Sequence, residues 1–169
     1  LASFVLMFVE ILNDYDPACG TQMDCPVQVV HGPRGLTAQR NRILAAAGDA
    51  DVLVFFDDDY YPEPGYIAQV QALFASRPDV VVATNQPLLD GAVGPGVSHD
   101  EARRVLAQTP AARDLGDVTP TYGGYGCNMA LRMAPVHQHG VRFDENLPLY
   151  GWLEYIDFSR RLAPYGRIV

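Results

Sequence analysis

Lysine is absent from this chain of 169 residues, and all twelve of its basic residues are arginine. Walker A loops, Schiff-base chemistry and the phosphoacceptor pocket of receiver domains each need a lysine, so this chain has none of them. Acidic residues outnumber the arginines, and the net charge of −8 argues against a surface for nucleic acid or anionic membranes. The missing lysine and the acidic balance therefore exclude several common functions before any motif is considered.

Cysteine is scarce, and the three present, Cys19, Cys25 and Cys127, match no metal-ligand spacing. Their odd number predicts free thiols in a reducing compartment, and we expect a cytoplasmic location, including the cytoplasmic face of a membrane. The apolar run from Leu1 to Leu12 contains Glu10 and is too short to span a bilayer. We interpret this run as a core strand and expect no transmembrane segment in this chain.

Hydrophobic residues make up 49% of the chain and charged residues 19%, a balance typical of one globular domain. Strand and helix patterns alternate, which predicts an α/β fold with a mostly parallel central sheet flanked by helices. The predicted strands are Phe4–Leu12, Val27–Val30, Val52–Phe56, Val80–Thr84 and Cys127–Met133. The predicted helices are Gly35–Ala47, Pro64–Arg77, His99–Ala107 and Gly151–Leu162.

Three consecutive carboxylates, Asp57, Asp58 and Asp59, follow the wholly apolar strand Val52–Phe56. In an extended chain Asp57 and Asp59 point to one side, and open α/β sheets bind ligands at the carboxyl ends of their strands. A second acidic strand end, at Asp14, is expected to flank the same crevice. Such charges repel unless neutralised, and Mg²⁺ typically takes one or two carboxylates plus substrate phosphates. A solvated acidic turn or a helix N-cap is the alternative.

Arg40 lies on the apolar stripe of the first predicted helix, one turn from Leu36. An arginine that points at the core usually snorkels or pairs with a carboxylate. A phosphate or a strand-end acid is another possible partner here. In the last predicted helix Asp157 can pair with Arg161 at i, i+4, and Glu154 shares its face, so a surface ion pair is the alternative to a catalytic role for these acids.

Two further segments allow more than one interpretation. The glycine-rich run from Tyr122 to Gly126 permits either a close approach of backbone to a ligand or a flexible connection. His137 and His139 are predicted to lie in a loop, and two histidines alone are weak evidence for a metal site.

Five motifs, in this order, resemble the family 2 glycosyltransferases of the GT-A fold. They are Gly35-Leu-Thr-Ala-Gln-Arg-Asn41, Phe55-Phe-Asp-Asp-Asp59 with Pro62 and Pro64, Gly126-Cys-Asn-Met-Ala130, Arg142-Phe-Asp-Glu145, and Gly151-Trp-Leu-Glu154 followed by Asp157. The resemblance implies an inverting enzyme that uses a nucleotide-diphosphate sugar, Mg²⁺ or Mn²⁺, and a saccharide or lipid-linked acceptor. By this resemblance, Asp59 would bind the metal, and Asp57 would lie near the ribose or the metal. The residues implied in nucleotide-sugar binding are Asp14, Arg40, Asp57 and Asp58. The acceptor side would include Gly126, Asn128 and Trp152, and catalysis would involve Glu154 and Asp157.

The chain departs from this family pattern at two points. The position that matches the family's general base is Tyr155, and a phenol with a pKa near 10 is a poor base at neutral pH. The family's first strand precedes the motifs found here, so we expect a GT-A domain that is incomplete at both ends. A non-catalytic nucleotide-sugar-binding homologue is therefore an alternative function, whereas the lack of lysine disfavours a nucleotidyltransferase.

Overall fold

The described part of the chain contains one five-stranded sheet, and the predicted strands that begin at Phe4, Val52, Val80 and Cys127 contribute four of its strands. The computed structural model describes residues 4–8, 30–92, 94–109, 118–147 and 151–169. The strands are β1 (Phe4–Phe8), β2 (Val52–Phe56), β3 (Val80–Thr84), β4 (Asn128–Arg132) and β5 (Arg167–Ile168). The helices are α1 (Leu36–Ala46), α2 (Tyr66–Ser76), α3 (His99–Gln108), α4 (Met133–His139) and α5 (Glu154–Leu162), and a 3₁₀ turn (Ala163–Tyr165) follows α5.

The strand order is β1-β2-β4-β3-β5. Strands β1 and β2 pair in parallel, as do β3 and β5, whereas β4 is antiparallel to both of its neighbours. The predicted α/β fold is confirmed, and four of the five strands run in one direction. The reversed direction of β4 was not predicted. Its amino end therefore lies at the edge of the sheet where β2 and β3 end.

Helices cover both faces of the sheet. The side chains of β2 alternate, with Leu53 and Phe55 in one buried cluster and Val54 and Phe56 in the other. Helices α1, α4 and α5 contribute to the first cluster, and α2 contributes to the second. All five residues of β2 are buried, as the unbroken apolar run predicted. This buried strand ends at Phe56, and Asp57 follows it directly.

Most element predictions within the described ranges are confirmed. β2 and β3 have the predicted bounds, and the helices α1, α2 and α3 match within two residues at each end. The predicted cap of α3 forms, because the Glu101 amide donates to Ser98 Oγ at 3.2 Å. The predicted strand Val27–Val30 lies outside the described residues except for Val30, which is not in a strand, and the part of Phe4–Leu12 beyond Phe8 also lies outside.

Two local predictions were wrong. His137 and His139 lie in the last turn of α4 rather than in a loop. Pro135 made a helix look unfavourable in this segment. A proline in the first turn of a helix breaks no hydrogen bond, however, because the amides of that turn have no partner within the helix. The last helix begins at Glu154 rather than Gly151, because Gly151 and Leu153 have φ angles of 84° and 67°, outside the helical region.

Candidate active site

Three strand ends meet at one edge of the sheet because β4 runs against its neighbours. Phe56 at the end of β2 is paired with Asn128 at the start of β4, and Thr84 at the end of β3 is paired with Met129. The Asp57 amide extends this ladder by donating to the Cys127 carbonyl at 3.3 Å. The predicted acidic strand end and the predicted acceptor-side segment are therefore neighbours.

Arg40 lies beneath this edge and is only 2% exposed. Its Nη1 atom is 2.7 Å from Glu154 Oε1, and its Nη2 atom is 3.3 Å from Asp57 Oδ1. Nη2 also donates to the Gly126 carbonyl at 3.0 Å. Of the interpretations left open for Arg40, pairing with a strand-end acid is the one observed. One side chain thus joins α1, the end of β2, the start of β4 and the start of α5.

The environment of this arginine is partly apolar. The guanidinium carbon lies 5.3 Å from the ring centre of Phe55 and 5.6 Å from that of Phe143, within the range of cation–π attraction. Nε and Nη1 of Arg40 and Oε1 of Glu154 make no well-directed hydrogen bond within the described part of the chain. The contact between Arg40 and Glu154 is therefore a close ion pair whose polar atoms are not fully satisfied.

The two carboxylates have pKa values above their ordinary ranges. Burial raises the pKa of Asp57 against the opposing effect of Arg40, and the charges of Asp59 and Asp58 add to the rise. Burial likewise raises the pKa of Glu154, and again Arg40 opposes it. One cation shared between two acids does not cancel both charges, so the cluster favours any added positive charge.

Asp58 and Asp59 lie in a turn and are exposed. The Tyr60 amide closes the turn by donating to the Asp57 carbonyl at 3.0 Å. Within the described ranges, no three His, Cys, Asp or Glu side chains are grouped so that they could hold a metal ion by themselves. An exposed Asp59 beside a half-exposed Asp57 does fit the one or two carboxylates that Mg²⁺ takes when substrate phosphates complete its shell. The metal role of Asp59 stays a prediction.

Asn128, predicted on the acceptor side, is fully buried. Its Nδ2 donates to the Asn85 carbonyl at 2.8 Å, while its Oδ1 accepts from the Asn85 amide at 2.9 Å and from Thr84 Oγ1 at 2.6 Å. These bonds hold the end of β3 against the start of β4. The structure thus gives the side chain of Asn128 a positioning role at the edge, and its part in acceptor binding stays a prediction.

The glycine-rich segment packs against α5. A Cβ atom at Gly126 would lie 3.0 Å from the ring of Tyr155, and one at Gly123 would lie 2.8 Å from Ile156. The Gly124 amide donates to Ser159 Oγ at 2.9 Å. This close approach of backbone to helix explains the glycines without a ligand and fixes the position of α5 beside the edge.

Tyr155 occupies the position predicted for the general base. Its ring lies against Gly126 and stands edge-on to Tyr125, with the ring centres 6.1 Å apart. Burial raises the pKa of Tyr155 above its usual value, and the neighbouring Glu154 carboxylate adds to the rise. Even less of the deprotonated phenolate, the form that can accept a proton, is therefore present at neutral pH than for a free tyrosine.

A family model described as glycosyl transferase family 2 matches residues 8–140. The chain belongs to this family. The match covers the Asp-rich strand end, Arg40 and the glycine-rich segment, and it ends before α5. The alignment of Glu154, Tyr155 and Asp157 with family positions therefore still rests on the motif resemblance alone.

The structure also resembles a crystal structure of S. aureus TarS (1–349), with a TM-score of 0.51 and 16% sequence identity. At this level of identity the likeness shows the fold alone, and the fold of this family 2 chain is of the GT-A type. The alignment covers 80% of this chain and 37% of the TarS chain, so the chain spans little more than a third of that structure's length. No curated protein matches this chain in sequence.

The remaining predicted site residues of the family 2 chain lie in different settings. Trp152 is 68% exposed at the turn before α5. Asp157 accepts a hydrogen bond from Nε of Arg161 at 2.7 Å on its Oδ2 atom, so the predicted i, i+4 pair is confirmed. Asp14 lies outside the described residues. Glu154 and Asp57 are thus brought together through Arg40, and Asp157 is not.

Asn41 is a site residue to which the sequence analysis gave no role. Its Nδ2 donates to the Phe143 carbonyl at 2.9 Å and to Glu145 Oε1 at 2.8 Å, and its Oδ1 accepts from the Phe143 amide at 2.9 Å. These bonds tie the first motif of the chain to the Arg142–Glu145 motif. Its place on the buried helical stripe, four residues after Thr37, was the available signal.

Two further findings concern the early predictions. Of the three predicted free thiols, Cys19 and Cys25 lie outside the described residues, and Cys127 is free. Burial raises the pKa of Cys127 to about 12, with a further rise from Asp57. It is therefore protonated at neutral pH and a poor nucleophile. Among the helices of the described ranges, none has the length and apolar character needed to cross a membrane.

Proposed function

We propose that this chain provides the donor-binding part of an inverting, metal-assisted glycosyltransferase. Its substrates would be a nucleotide-diphosphate sugar and a hydroxyl of a saccharide or lipid-linked acceptor. Family membership supports sugar transfer in general. The observation that carries the proposal is the edge where Asp57 and the exposed Asp59 end a buried strand beside the backbone of Gly126.

The residues at this edge would have different roles in donor binding. Asp59 is exposed and has the freedom to bind a divalent cation, while Asp57 is partly held by Arg40. Asp59, with Asp57 beside it, would hold a divalent cation, Mg²⁺ or Mn²⁺, and the cation would supply Lewis-acid neutralisation of the diphosphate charge. Arg40 keeps the local charge from becoming so negative that a diphosphate is repelled.

The reaction is a single displacement. The oxygen of the acceptor hydroxyl forms a bond to the anomeric carbon while the bond from that carbon to the diphosphate oxygen breaks. The electron pair leaves with the diphosphate, and the hydroxyl proton passes to a base on the acceptor side. Attack from the face opposite the leaving group inverts the configuration.

The base is the weak element of this proposal. Tyr155 has a raised pKa, Glu154 is buried in its pair with Arg40, and Asp157 is held by Arg161. Each of these side chains needs a change of partner or position before it can accept a proton from an acceptor. We therefore propose slow transfer by this chain, with Glu154 and Asp157 as the candidate carboxylates.

The second candidate function is nucleotide-sugar binding without transfer. The phenol at position 155 favours it, because Arg40, Asp57 and Asp59 of the proposed donor site are present while the position that matches the family's base carries no carboxylate. The two functions share the donor site and differ only in the fate of the bound sugar.

Donor binding is tested by calorimetry with Mg²⁺ in the presence and absence of UDP or GDP. We expect weak binding of Mg²⁺ alone and tighter binding with the nucleotide, because the protein offers too few ligands for a complete cage. Asp59→Asn should weaken the ternary complex, whereas Asp49→Asn, in the exposed turn after α1, should not. Equal ternary affinity in the wild type and Asp59→Asn would show that the metal assignment is wrong.

Transfer is tested by single-turnover measurements on the complete protein with its preferred donor. Tyr155→Asp should raise the rate by about 10² to 10⁴, the usual value of general-base assistance. Tyr155→Phe keeps the ring against Gly126 and should leave the rate unchanged. Fast wild-type transfer that is lost in Glu154→Gln would identify Glu154 as the base. If no variant transfers sugar from any donor that binds, the binding function is correct.

A further inference from the structure

Arg40 holds its two carboxylates unequally. Glu154 is 2% exposed and its Oε1 lies 2.7 Å from Nη1, whereas the side chain of Asp57 is 42% exposed and its Oδ1 lies 3.3 Å from Nη2. Asp57 is the partner that faces the proposed donor, and it is the more weakly held of the two. A ligand with positive charge at the strand end would therefore compete with Arg40 for Asp57 and would not compete directly with Arg40 for the buried Glu154.

We propose that Arg40 is a positioning residue that couples the charge on Asp57 at the donor edge to the seating of the first turn of α5. This inference rests on the proposed function only in placing the donor at Asp57. The coupling itself is a property of three side chains from α1, β2 and α5 and exists without a ligand.

The contacts of Arg40 allow the coupling without a movement of the arginine. Nη2 contacts both Asp57 and the Gly126 carbonyl, so it keeps a hydrogen-bond acceptor when Asp57 turns to a ligand. The guanidinium also stays between the rings of Phe55 and Phe143. The positive charge of Arg40 would then no longer be shared between Asp57 and Glu154, and it would act on Glu154 alone.

The contact between Arg40 and Glu154 has room to improve. Nη1 and Oε1 are close but lack a well-directed hydrogen bond to each other or to another described residue. Buried polar atoms of this kind gain stability when their geometry becomes ideal. Nη1 and Oε1 are already 2.7 Å apart, so a stronger attraction would reorient the Glu154 carboxylate and hold the first turn of α5 more firmly without shortening the contact.

The first turn of α5 also carries the position predicted for the base. Tyr155 follows Glu154 directly, and its ring lies on Gly126, the residue whose carbonyl Arg40 binds. A shift at Glu154 therefore changes how side chain 155 sits against the strand edge. Through Arg40, occupation of the donor side would order the acceptor side.

The test measures α5 in the absence of any ligand. Asp57→Asn removes the charge that competes with Glu154, and Asp58→Asn is the matched control because it removes an exposed charge from the next position. We expect hydrogen exchange of the amides of residues 154–157 to slow at least about threefold in Asp57→Asn, the lower range of couplings within one charge network. The same amides should be unaffected in Asp58→Asn.

Trp152 supplies a second readout, since it is the single tryptophan of the chain and lies two residues before Glu154. Its emission should shift in Asp57→Asn and remain as in the wild type in Asp58→Asn. In a Glu154→Gln background, which keeps the shape of the side chain but removes its charge, Asp57→Asn should have no effect on exchange or emission. A purely structural Arg40 would not produce this dependence on the charge of Glu154.

Equal exchange in Asp57→Asn and Asp58→Asn would overturn the coupling, and so would an effect that persists in the Glu154→Gln background. A final arm adds Mg²⁺ with UDP or GDP to the wild type, which should slow exchange at residues 154–157 as Asp57→Asn does. Binding of either nucleotide with no change at α5 also overturns the coupling. Failure of both to bind contradicts the proposed donor site, and the ligand-free comparison still decides the coupling.

Discussion

Two arginines of this molecule each hold two carboxylates from different elements, and they do so in opposite surroundings. Arg40 is buried and binds Asp57 and Glu154. Arg161 has a side chain that is 45% exposed, and it binds Asp157 at 2.7 Å and Asp144 at 3.2 Å. Each cluster consists of one arginine and two carboxylates, so a comparison of the two clusters shows how burial affects the pKa values and the stability of such ion pairs.

The pKa values of Glu154 in the buried cluster and Asp144 in the exposed cluster are shifted in opposite directions. Burial raises the pKa of Glu154 in the buried cluster even though an arginine lies beside it. In the exposed cluster the pKa of Asp144 is lowered, first by hydrogen bonds from Asn146 and further by Arg161. Desolvation thus outweighs the attraction of Arg40 at Glu154, whereas at Asp144 the hydrogen bonds from Asn146, with a smaller contribution from Arg161, outweigh desolvation. An ion cluster held against desolvation in this way can respond to a ligand, whereas the exposed cluster only joins two surface elements.

Removal of each arginine gives the largest contrast. Arg40→Met leaves two acids without a counter-charge in a partly apolar environment and should lower the free energy of unfolding by about 3 to 5 kcal/mol. Arg161→Met should lower it by no more than about 1 kcal/mol, because water solvates the acids that remain. Urea unfolding of both variants and the wild type measures the difference. Equal losses would mean that burial has no influence on these clusters.

Lowering the pH should change the contributions of Glu154 and Asp144 to the stability of the folded protein in opposite directions. The pKa of Glu154 in the folded protein lies above the ordinary 4.5, so the folded state binds this proton first as the pH falls. The wild type should therefore gain stability relative to Glu154→Gln as the pH is lowered through the folded pKa toward 4.5.

Asp144 provides the opposite case. Its folded pKa lies below the ordinary 3.8, so the wild type should lose stability relative to Asp144→Asn as the pH falls below 3.8. Thermal unfolding across this pH range measures both differences. Slopes of the same sign for the two pairs of proteins would contradict the contrast.

Salt should have the smallest effect. A double-mutant cycle with Arg161→Gln and Asp157→Asn should give a coupling of about 0.3 to 0.5 kcal/mol at low ionic strength. This coupling should fade when the salt concentration rises to about 1 M, where the screening length is about 3 Å. The stability loss of Arg40→Met should change little over the same range, because buried pairs are screened less. A salt-dependent loss in Arg40→Met would indicate that water reaches the buried cluster.

The fold was predictable to the extent that local pattern decides it. The apolar runs of β2 and β3 and the capping pattern before α3 predicted those elements closely. The direction of β4 was not predictable in this way, because it depends on where a long connection returns to the sheet. Strand periodicity is the same in both directions.

The sequence predicted which residues belong to the candidate site, but it did not predict all the contacts between them. Asp57 at a strand end and Arg40 on a buried stripe followed from pattern alone. The pairing of Arg40 with Glu154 joins residues far apart in sequence, and no local spacing shows it. The burial of Asn128 was not predictable from the sequence either, because the described hydrogen-bond partners of its side chain, Thr84 and Asn85, are more than 40 positions away in the chain.

The insertion of β4 between β2 and β3 also determines how this molecule can fold. β4 cannot form a simple hairpin with either neighbour, because it pairs Val52 with Arg132 and Val82 with Leu131 across long stretches of chain. Such non-local pairing delays the gain of contacts until the entropy of closing a long loop has been lost, and it slows folding. The centre of the sheet thus closes late, and the same event brings Gly126 beside Asp57. A chain that stalls before this step has stretches of secondary structure but lacks the strand edge at which we propose that the donor binds.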